Sequence, residues 1–236
     1  WNSQYSLNSA ILSGGDIRFI TAAYTVEGDT HANQNATSAS GAQNGSINGI
    51  VSASGTVDAN LPGAGHSNGA PIAAVPGAGP FNFDSYRQLA ISNGVYLEGD
   101  RTLSGTPLLS PAPANGILYV NGNLTIRGNS TYTGTIVANG DIIVDNHFTQ
   151  TQANQLPSLL STGNITLNNH EEFNGVMYAA LNVTIQNHIV INGGVISGGY
   201  TELRNNVTIN HADHYPAWDP LNPEVPPEVI VGGWLK

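Results

Sequence analysis

Along most of the chain a short apolar–x–apolar triplet recurs after an Asn, Asp or Gly, and the distance between copies is nearly constant. Near the start it reads Leu12-Ser-Gly-Gly-Asp16-Ile17-Arg-Phe19. Further on come Leu118-Tyr-Val-Asn-Gly-Asn123-Leu124-Thr-Ile126, Ile136-Val-Ala-Asn-Gly-Asp141-Ile142-Ile-Val144 and Leu160-Ser-Thr-Gly-Asn164-Ile165-Thr-Leu167. Then follow Met177-Tyr-Ala-Ala-Leu-Asn182-Val183-Thr-Ile185 and a looser copy, Val195-Ile-Ser-Gly-Gly-Tyr200-Thr201-Glu-Leu203. The aligned positions 123, 141, 164, 182 and 200 lie 18, 23, 18 and 18 residues apart, and Asp16, Asn35 and Gly55 follow the same rhythm at 19 and 20.

A period near 20 built on three-residue β motifs is the length of one coil of a β-solenoid. Within each motif the side chains alternate, so Leu124 and Ile126 point one way and Thr125 the other. Stacking the coils about 4.8 Å apart turns each aligned position into a column. Ile126, Val144, Leu167, Ile185 and Leu203 then form a continuous apolar stack. Two residues later come Gly128, Asn146, Asn169, Asn187 and Asn205, residue types that tolerate a left-handed backbone and are expected to make the turns. Stacked Asn amides also hydrogen-bond along a column. The expected fold is an all-β, right-handed parallel β-helix of seven or eight coils, a rod of nearly ~40 Å at that spacing.

Two stretches break the rhythm. Residues 60–115 carry Pro62-Gly-Ala-Gly65, its echo Pro76-Gly-Ala-Gly79, and Pro107, Pro111 and Pro113. Inside them a short helix is predicted over 84–91, with Asp84 as N-cap and Gly94 as its stop. Residues 212–236 hold five prolines and cannot form ladders. The organisation read from this is N-terminal coils over 1–59, a Pro/Gly-rich excursion over 60–115, main coils over 116–211 and a Pro-rich tail over 212–236. Because solenoid ends are raw sheet edges, the helix and the tail are expected to cap them.

Composition narrows the function. Of 236 residues only 9% are charged, the formal net charge is −10, and Asn is as frequent as Gly, at 28 each. An acidic chain with six Lys and Arg lacks the basic face of a nucleic-acid binder. No apolar run approaches the ~18 residues of a membrane span. Zero Cys excludes disulfides, thiolate metal sites and thiol catalysis.

The segments Ala10–Ile17, Gly116–Ile126 and Gly134–Ile142, the Phe83–Ala90 helix and the closing Gly232-Gly-Trp234 together resemble pilin-like (PilX-type, type IV pilus-associated) bacterial surface proteins. Bactofilins, which polymerise end to end, are a looser likeness. The resemblance implies an exported structural protein and carries no catalytic residues.

Candidate chemistry is sparse. His147, His170 and His188 fall in one column, three positions after the apolar stack. Stacked imidazoles suggest a divalent-metal or pH-sensitive site, yet parallel rings one rung apart do not converge on one ion. His211, Asp213 and His214 form a second cluster that would clip a metal or cap the last coil. The acidic balance leaves Ca²⁺ as the one cofactor worth naming. β-Helix lyases and hydrolases need clustered acids and a base. Here the arginines are dispersed, and Glu171 and Glu172 point to opposite sides of one strand. Thr125, Thr166 and Thr184 share an outward column. Flat Thr arrays bind ice in some solenoids, but Ile143 and Glu202 interrupt this one, and outward Thr is ordinary strand chemistry.

The leading expectation is therefore a non-catalytic extracellular or cell-surface structural protein that self-assembles into a filament. Its partners would be further copies of itself and other pilus or surface components, with Trp1, Tyr5, Trp218 and Trp234 as contact residues. The alternative is a monomeric carbohydrate- or surface-binding adhesin domain, which an outward aromatic stripe including Tyr119 and Tyr178 would favour. A polysaccharide-cleaving enzyme stands third.

Overall fold

The computed structural model describes residues 9–21, 23–39, 45–73, 81–153 and 156–211. They form a parallel β-solenoid of about ten turns with one small helix. Three parallel sheets make its walls. Sheet A has ten strands, sheet B eight and sheet C seven. Ten rungs, against the expected seven or eight, span about 43 Å at 4.8 Å spacing. The two extra turns come from residues 60–115. Gly65–Ser67 ends the stack on one side, while Val95–Glu98 and Arg101–Leu103 begin it on the other.

The order of rungs is not the order of the chain. Strand β1 (Ser9–Ser13) pairs with β23 (Val195–Ser197), β2 (Ile17–Phe19) with β24 (Thr201–Leu203), and β3 (Tyr24–Glu27) with β25 (Val207–Asn210). From β1 in mid-stack the chain thus climbs to β8 (Gly65–Ser67) at one end. It then crosses to β9 (Val95–Glu98) at the far end and climbs back until β25 meets β3. At this seam three buried hydroxyls close a ring. Ser13 Oγ lies 2.8 Å from Ser197 Oγ and 2.7 Å from Thr201 Oγ1, and the last two are 2.9 Å apart.

The connection between β8 and β9 includes α1 (Phe83–Asn93). Its N-cap is Asn82, whose side chain accepts the Ser85 N–H at 3.0 Å, so the expected cap Asp84 sits instead in the first turn. Gly94 does end the helix, but its φ of −111° is not left-handed. Glycine is needed there because a Cβ would lie 2.6 Å from the Ile117 carbonyl oxygen. Nor does the helix cap an end of the solenoid. It lies on the outer face of sheet A, burying Tyr86 and Ala90 against Ile117, Tyr119, Val137, Leu160 and Tyr178. Strands of this sheet are consequently apolar on both faces.

The interior holds the apolar stack that the repeat predicts. Ile126, Val144, Leu167, Ile185 and Leu203 are all fully buried, and Leu103 and Phe19 extend the column at either end. Buried Leu108 and Leu61 belong to this same core and close it at the first and last turns. Leu108 N–H donates to the Thr131 carbonyl at 2.8 Å, taking the place of a strand in sheet C.

What aligns the rungs is an oxygen ladder at the corner before each sheet B strand. The Asp100 carboxylate accepts the Asn123 N–H (2.8 Å), the Asn123 amide oxygen that of Asp141 (2.8 Å), and Asp141 that of Asn164 (2.7 Å). Asn164 in turn serves Asn182 (3.2 Å), and Asn182 serves Tyr200 (2.9 Å). Beyond the seam Asp16 accepts from Asn35 (3.1 Å) and Asn35 from Thr56 (3.0 Å). Each side chain thus satisfies a backbone donor one rung away. The recurring Asn or Asp of the repeat is this residue.

Left-handed turns fall one residue later than expected in most coils. Positive φ is found at Gly128 and Asn146, as predicted, but then at His147, His170, His188 and Asn206 rather than at Asn169, Asn187 and Asn205. The Asn residues form a side-chain ladder instead, with Asn187 donating to Asn169 at 3.1 Å and Asn205 to Asn187 at 3.0 Å.

Removing one rung of the oxygen ladder leaves corner donors unmet. Asn164→Ala is expected to cost about 2 kcal/mol, a fall of roughly 5 °C in melting temperature. Thr166→Ala, two residues away on the solvent face, should stay within ~0.5 kcal/mol of wild type. Thermal unfolding followed by circular dichroism compares the two.

Candidate functional site

Sheet A is closed as a binding surface over most of its length. Its outward column runs through Tyr96, Tyr119, Val137, Leu160, Tyr178, Ile196 and Leu12. The aromatic stripe does point out of the solenoid, but α1 and Phe81 cover it. Tyr119 is 3% exposed and Tyr178 fully buried, with the Phe81 ring 4.7 Å from that of Tyr178.

Sheet B is bare. The middle residue of each triplet faces out because its two neighbours face the core, and pairing aligns Thr102, Thr125, Ile143, Thr166, Thr184, Glu202, Arg18 and Thr37. The column expected from the sequence is therefore longer than read, gaining Thr102 at one end and Thr37 at the other. From Thr102 to Thr184 it carries no charge. Ile143, 39% exposed, substitutes one branched side chain for another. The two charges beyond are held down by pairing. Arg204 contacts Glu202 at 2.7 Å, and Arg18 contacts Asp16 at 3.0 Å while its guanidinium lies 4.5 Å above the Tyr200 ring. Burial works to raise the Asp16 carboxyl, but hydrogen bonds from Arg18 and Asn35 outweigh it and hold the group below its ordinary value. Alongside the Thr column runs the oxygen ladder, two residues earlier on each rung except that of Glu202, where Tyr200 stands.

Sheet C has a second Thr column that sequence reading missed. Thr131, Thr149, Glu172, Val190, Thr208, Thr25 and Ser46 align outward. Beside them Asn192 donates to Asn174 at 3.0 Å and Asn210 to Asn192 at 2.8 Å. The signal was present as Thr131-Tyr132-Thr133 and Thr149-Gln150-Thr151, but the Asn-led triplets drew attention to sheet B. Here Glu172 stands in the middle of the column, exposed.

The histidines occupy the corner between sheets B and C. Rings of His147 and His170 are 4.9 Å apart and within 4° of parallel, and those of His170 and His188 are 4.7 Å apart and within 3°. Asn206 continues the stack, its Nδ2 3.0 Å from His188 Nε2. Parallel rings side by side offer their nitrogens to separate points. Among the described residues no group of three or more His, Asp or Glu is placed to hold a metal ion, and no helix is long and apolar enough to cross a membrane. The His211 backbone N–H donates to the Glu27 carbonyl at 2.9 Å, and its buried Nδ1 has no partner among the described residues. Asp213 and His214 lie outside the described residues, as do Trp1, Tyr5, Trp218, Trp234 and the tail.

Glu171 and Glu172 do point to opposite faces. Glu171 occupies a core-facing position in sheet C. Its Oε1 accepts the N–H groups of Asn168 (3.2 Å) and Asn169 (3.1 Å), while Oε2 has no partner. Burial pushes this carboxyl up to about 8, against the pull of those backbone bonds and with help from the nearby Asp145 charge.

No protein-family model matches the chain, and no curated protein does. Among solved structures it is similar to an ice-binding protein from the Antarctic ascomycete Antarctomyces psychrotrophicus. The two are 15% identical over 87% of this chain and 95% of that one, with a TM-score of 0.51. The DUF3494 domain of a Shewanella frigidimarina ice-binding protein is 14% identical over 88% and 95%, with a TM-score of 0.47. Identities this low speak to the fold alone. The shared fold of the first nonetheless corrects the likeness to pilin-like proteins and bactofilins. Short Asn/Gly-led triplets follow from stacking any solenoid of this pitch, so they do not single out a family. The pilus-type filament that the likeness implied loses its support with it, and the contact residues expected for self-association lie outside the described residues.

Glu171 makes stability depend on pH in a defined direction. A folded carboxyl near 8, against 4.5 for an ordinary glutamate, means the native state holds the proton more tightly than the unfolded chain. Its stabilising contribution is complete below pH ~4.5 and is lost as pH rises toward 8. Wild-type melting temperature should fall between pH 5 and pH 9, and Glu171→Gln should remove about 5 °C of that fall.

Proposed function

We propose that the protein binds the surface of ice through the outer face of sheet B, in a role that needs no catalysis. The observation that carries this reading is the Thr column, uncharged over five successive rungs from Thr102 to Thr184. A crystal face is a periodic array, and a periodic protein face meets it at many points at once. Each Thr offers a methyl and a hydroxyl at the rung spacing. The side chain is β-branched with few rotamers, and the backbone beneath is locked by the oxygen ladder, so little conformational freedom remains to be lost on binding. Charged groups hold their hydration tightly and would resist such contact. On this face the nearest pair, Glu202 and Arg18, is neutralised by Arg204 and Asp16 at one end.

That the solved structures of similar fold are named as ice-binding proteins supports the same reading. A role at ice places the protein where ice meets a cell, outside it or on its surface. Of the carbohydrate- or surface-binding alternative this reading keeps the surface-binding half, because the aromatic stripe that would favour carbohydrate lies under α1.

The test is partition into slowly growing ice, together with thermal hysteresis of the purified chain. Wild type should enter the ice fraction. A bulky Thr166→Tyr change at the centre of the face should reduce partition by roughly tenfold, about 1.4 kcal/mol, whereas Thr208→Tyr on sheet C should leave it unchanged. Exclusion of the wild-type chain from ice would overturn the proposal, and loss of partition by the sheet C variant alone would overturn the choice of face.

A further inference from the structure

Ice contact on sheet B makes no use of a constellation at the end of sheet A beyond α1. Beyond Leu12 the outward column of that sheet passes to His31 and then Ser52 on successive rungs. There it opens into a cavity of about 290 Å³ whose walls include Ser9, Leu12, Asp29, Ile50 and Pro71. That volume lies at the lower end of the range for small-molecule sites.

The hydrogen bonds in this cavity fix the protonation pattern of the histidine. Asn33 is clamped twice by one backbone unit, its Nδ2 donating to the Ala73 carbonyl at 2.8 Å and its Oδ1 accepting the Ala73 N–H at 2.8 Å. The orientation of the amide is therefore settled, and it is the oxygen that lies 3.1 Å from His31 Nε2. Only a protonated Nε2 can make that contact. In the neutral ring the lone pair is then on Nδ1, 2.8 Å from Ser52 Oγ. The Thr30 carbonyl, 3.1 Å from the same hydroxyl, is a longer alternative acceptor. His31 is 9% exposed, so the ring is held by its surroundings while Ser52 remains open to the cavity. A nucleophile bonded to a base, with the base oriented by a third group, is the arrangement that activates a serine.

We propose that Ser52, His31 and Asn33 form a nucleophile, base and orienting residue that accept the acyl group of a small neutral ester. In the first step the Ser52 Oγ–carbonyl carbon bond forms as its proton passes to His31 Nδ1. The ester C–O bond then breaks, and the leaving alkoxide takes that proton to depart as an alcohol. In the second step water attacks the acyl-serine and gives its proton to Nδ1. The carboxylic acid leaves, and the proton returns to Ser52 Oγ. The balance is ester plus water to acid plus alcohol. Leu12, Ile50 and Pro71 favour an apolar substituent, and the Asp29 carboxylate disfavours an anionic one.

The full chain treated with a fluorophosphonate probe and, separately, with p-nitrophenyl acetate tests the site, with adducts mapped by mass spectrometry. A single adduct on Ser52 is expected, forming at least about 100-fold faster than any reaction of Ser52→Ala, the lower range for a positioned general base. His31→Gln should slow it by a similar factor, while partition of both variants into ice stays at the wild-type level. Mapping of the wild-type adduct stands even if a variant folds poorly. An adduct on another residue, or a wild-type rate no greater than that of heat-unfolded protein, would overturn the proposal. Neither result bears on ice binding, which is read separately.

Discussion

Everything on this molecule's surface depends on rungs that do not slip. In a parallel stack the side-chain period is two, so a one-residue shift would exchange core and solvent faces along a whole coil. The carboxamide and carboxylate oxygens of Asp100, Asn123, Asp141, Asn164 and Asn182 prevent this by each accepting a backbone N–H one rung away. The bond is short-range and directional, and it serves a corner donor that no strand partner reaches. The alignment it enforces produces the buried apolar column on one side and the Thr column on the other. It also carries the neighbouring corner into register, where Asn169, Asn187 and Asn205 bond in series and three imidazoles stack.

A second constraint decides which of the aligned faces is usable. Between β8 at one end of the solenoid and β9 at the other the chain must change ends, and α1, within that connection, packs against sheet A. An outward stripe with three tyrosines would otherwise be exposed. Covered by Phe81, Tyr86 and Ala90, it becomes a second small core instead. No described residue covers sheets B and C, whose outer faces are polar, and of the two only B carries an uncharged Thr column over five rungs. At the end of sheet A beyond the helix, the same column turns polar and lines a cavity, which places Ser52 beside His31. Fold topology thus divides the surface into a covered face, a flat face and a recess, each with its own chemistry.

Two features remained invisible in the linear sequence because they join residues far apart in it. The hydroxyl ring of Ser13, Ser197 and Thr201 spans 184 and 188 residues. It exists only because the first coil docks on the last. Likewise His31 and Ser52 stand one rung apart in space but 21 residues apart in sequence, and the clamp on Asn33 comes from 40 residues away. Neither carries a motif, since the spacing of a solenoid is set by coil length and not by chemistry.

By itself the sequence determined the solenoid, its three-residue strands, the buried column from Ile126 to Leu203 and the Asn or Asp that begins each rung. These are local, repeated consequences of side-chain alternation and corner hydrogen bonding, so each copy reinforces the others. Only the tertiary structure decided the number of turns, because Gly65–Ser67 lacks the repeat's apolar triplet and forms a strand by pairing with a neighbour, while Asp100-Arg-Thr-Leu103 carries the leading Asp inside a Pro-rich stretch where the rhythm is broken on both sides. It alone moved the left-handed turns onto His170, His188 and Asn206, because the ladder of adjacent Asn amides claims the preceding position. The extension of the Thr column to Thr102 and Thr37 was likewise decided there. That face is assembled from coils whose order in space differs from their order in the chain, and only pairing across the seam brings them into one plane.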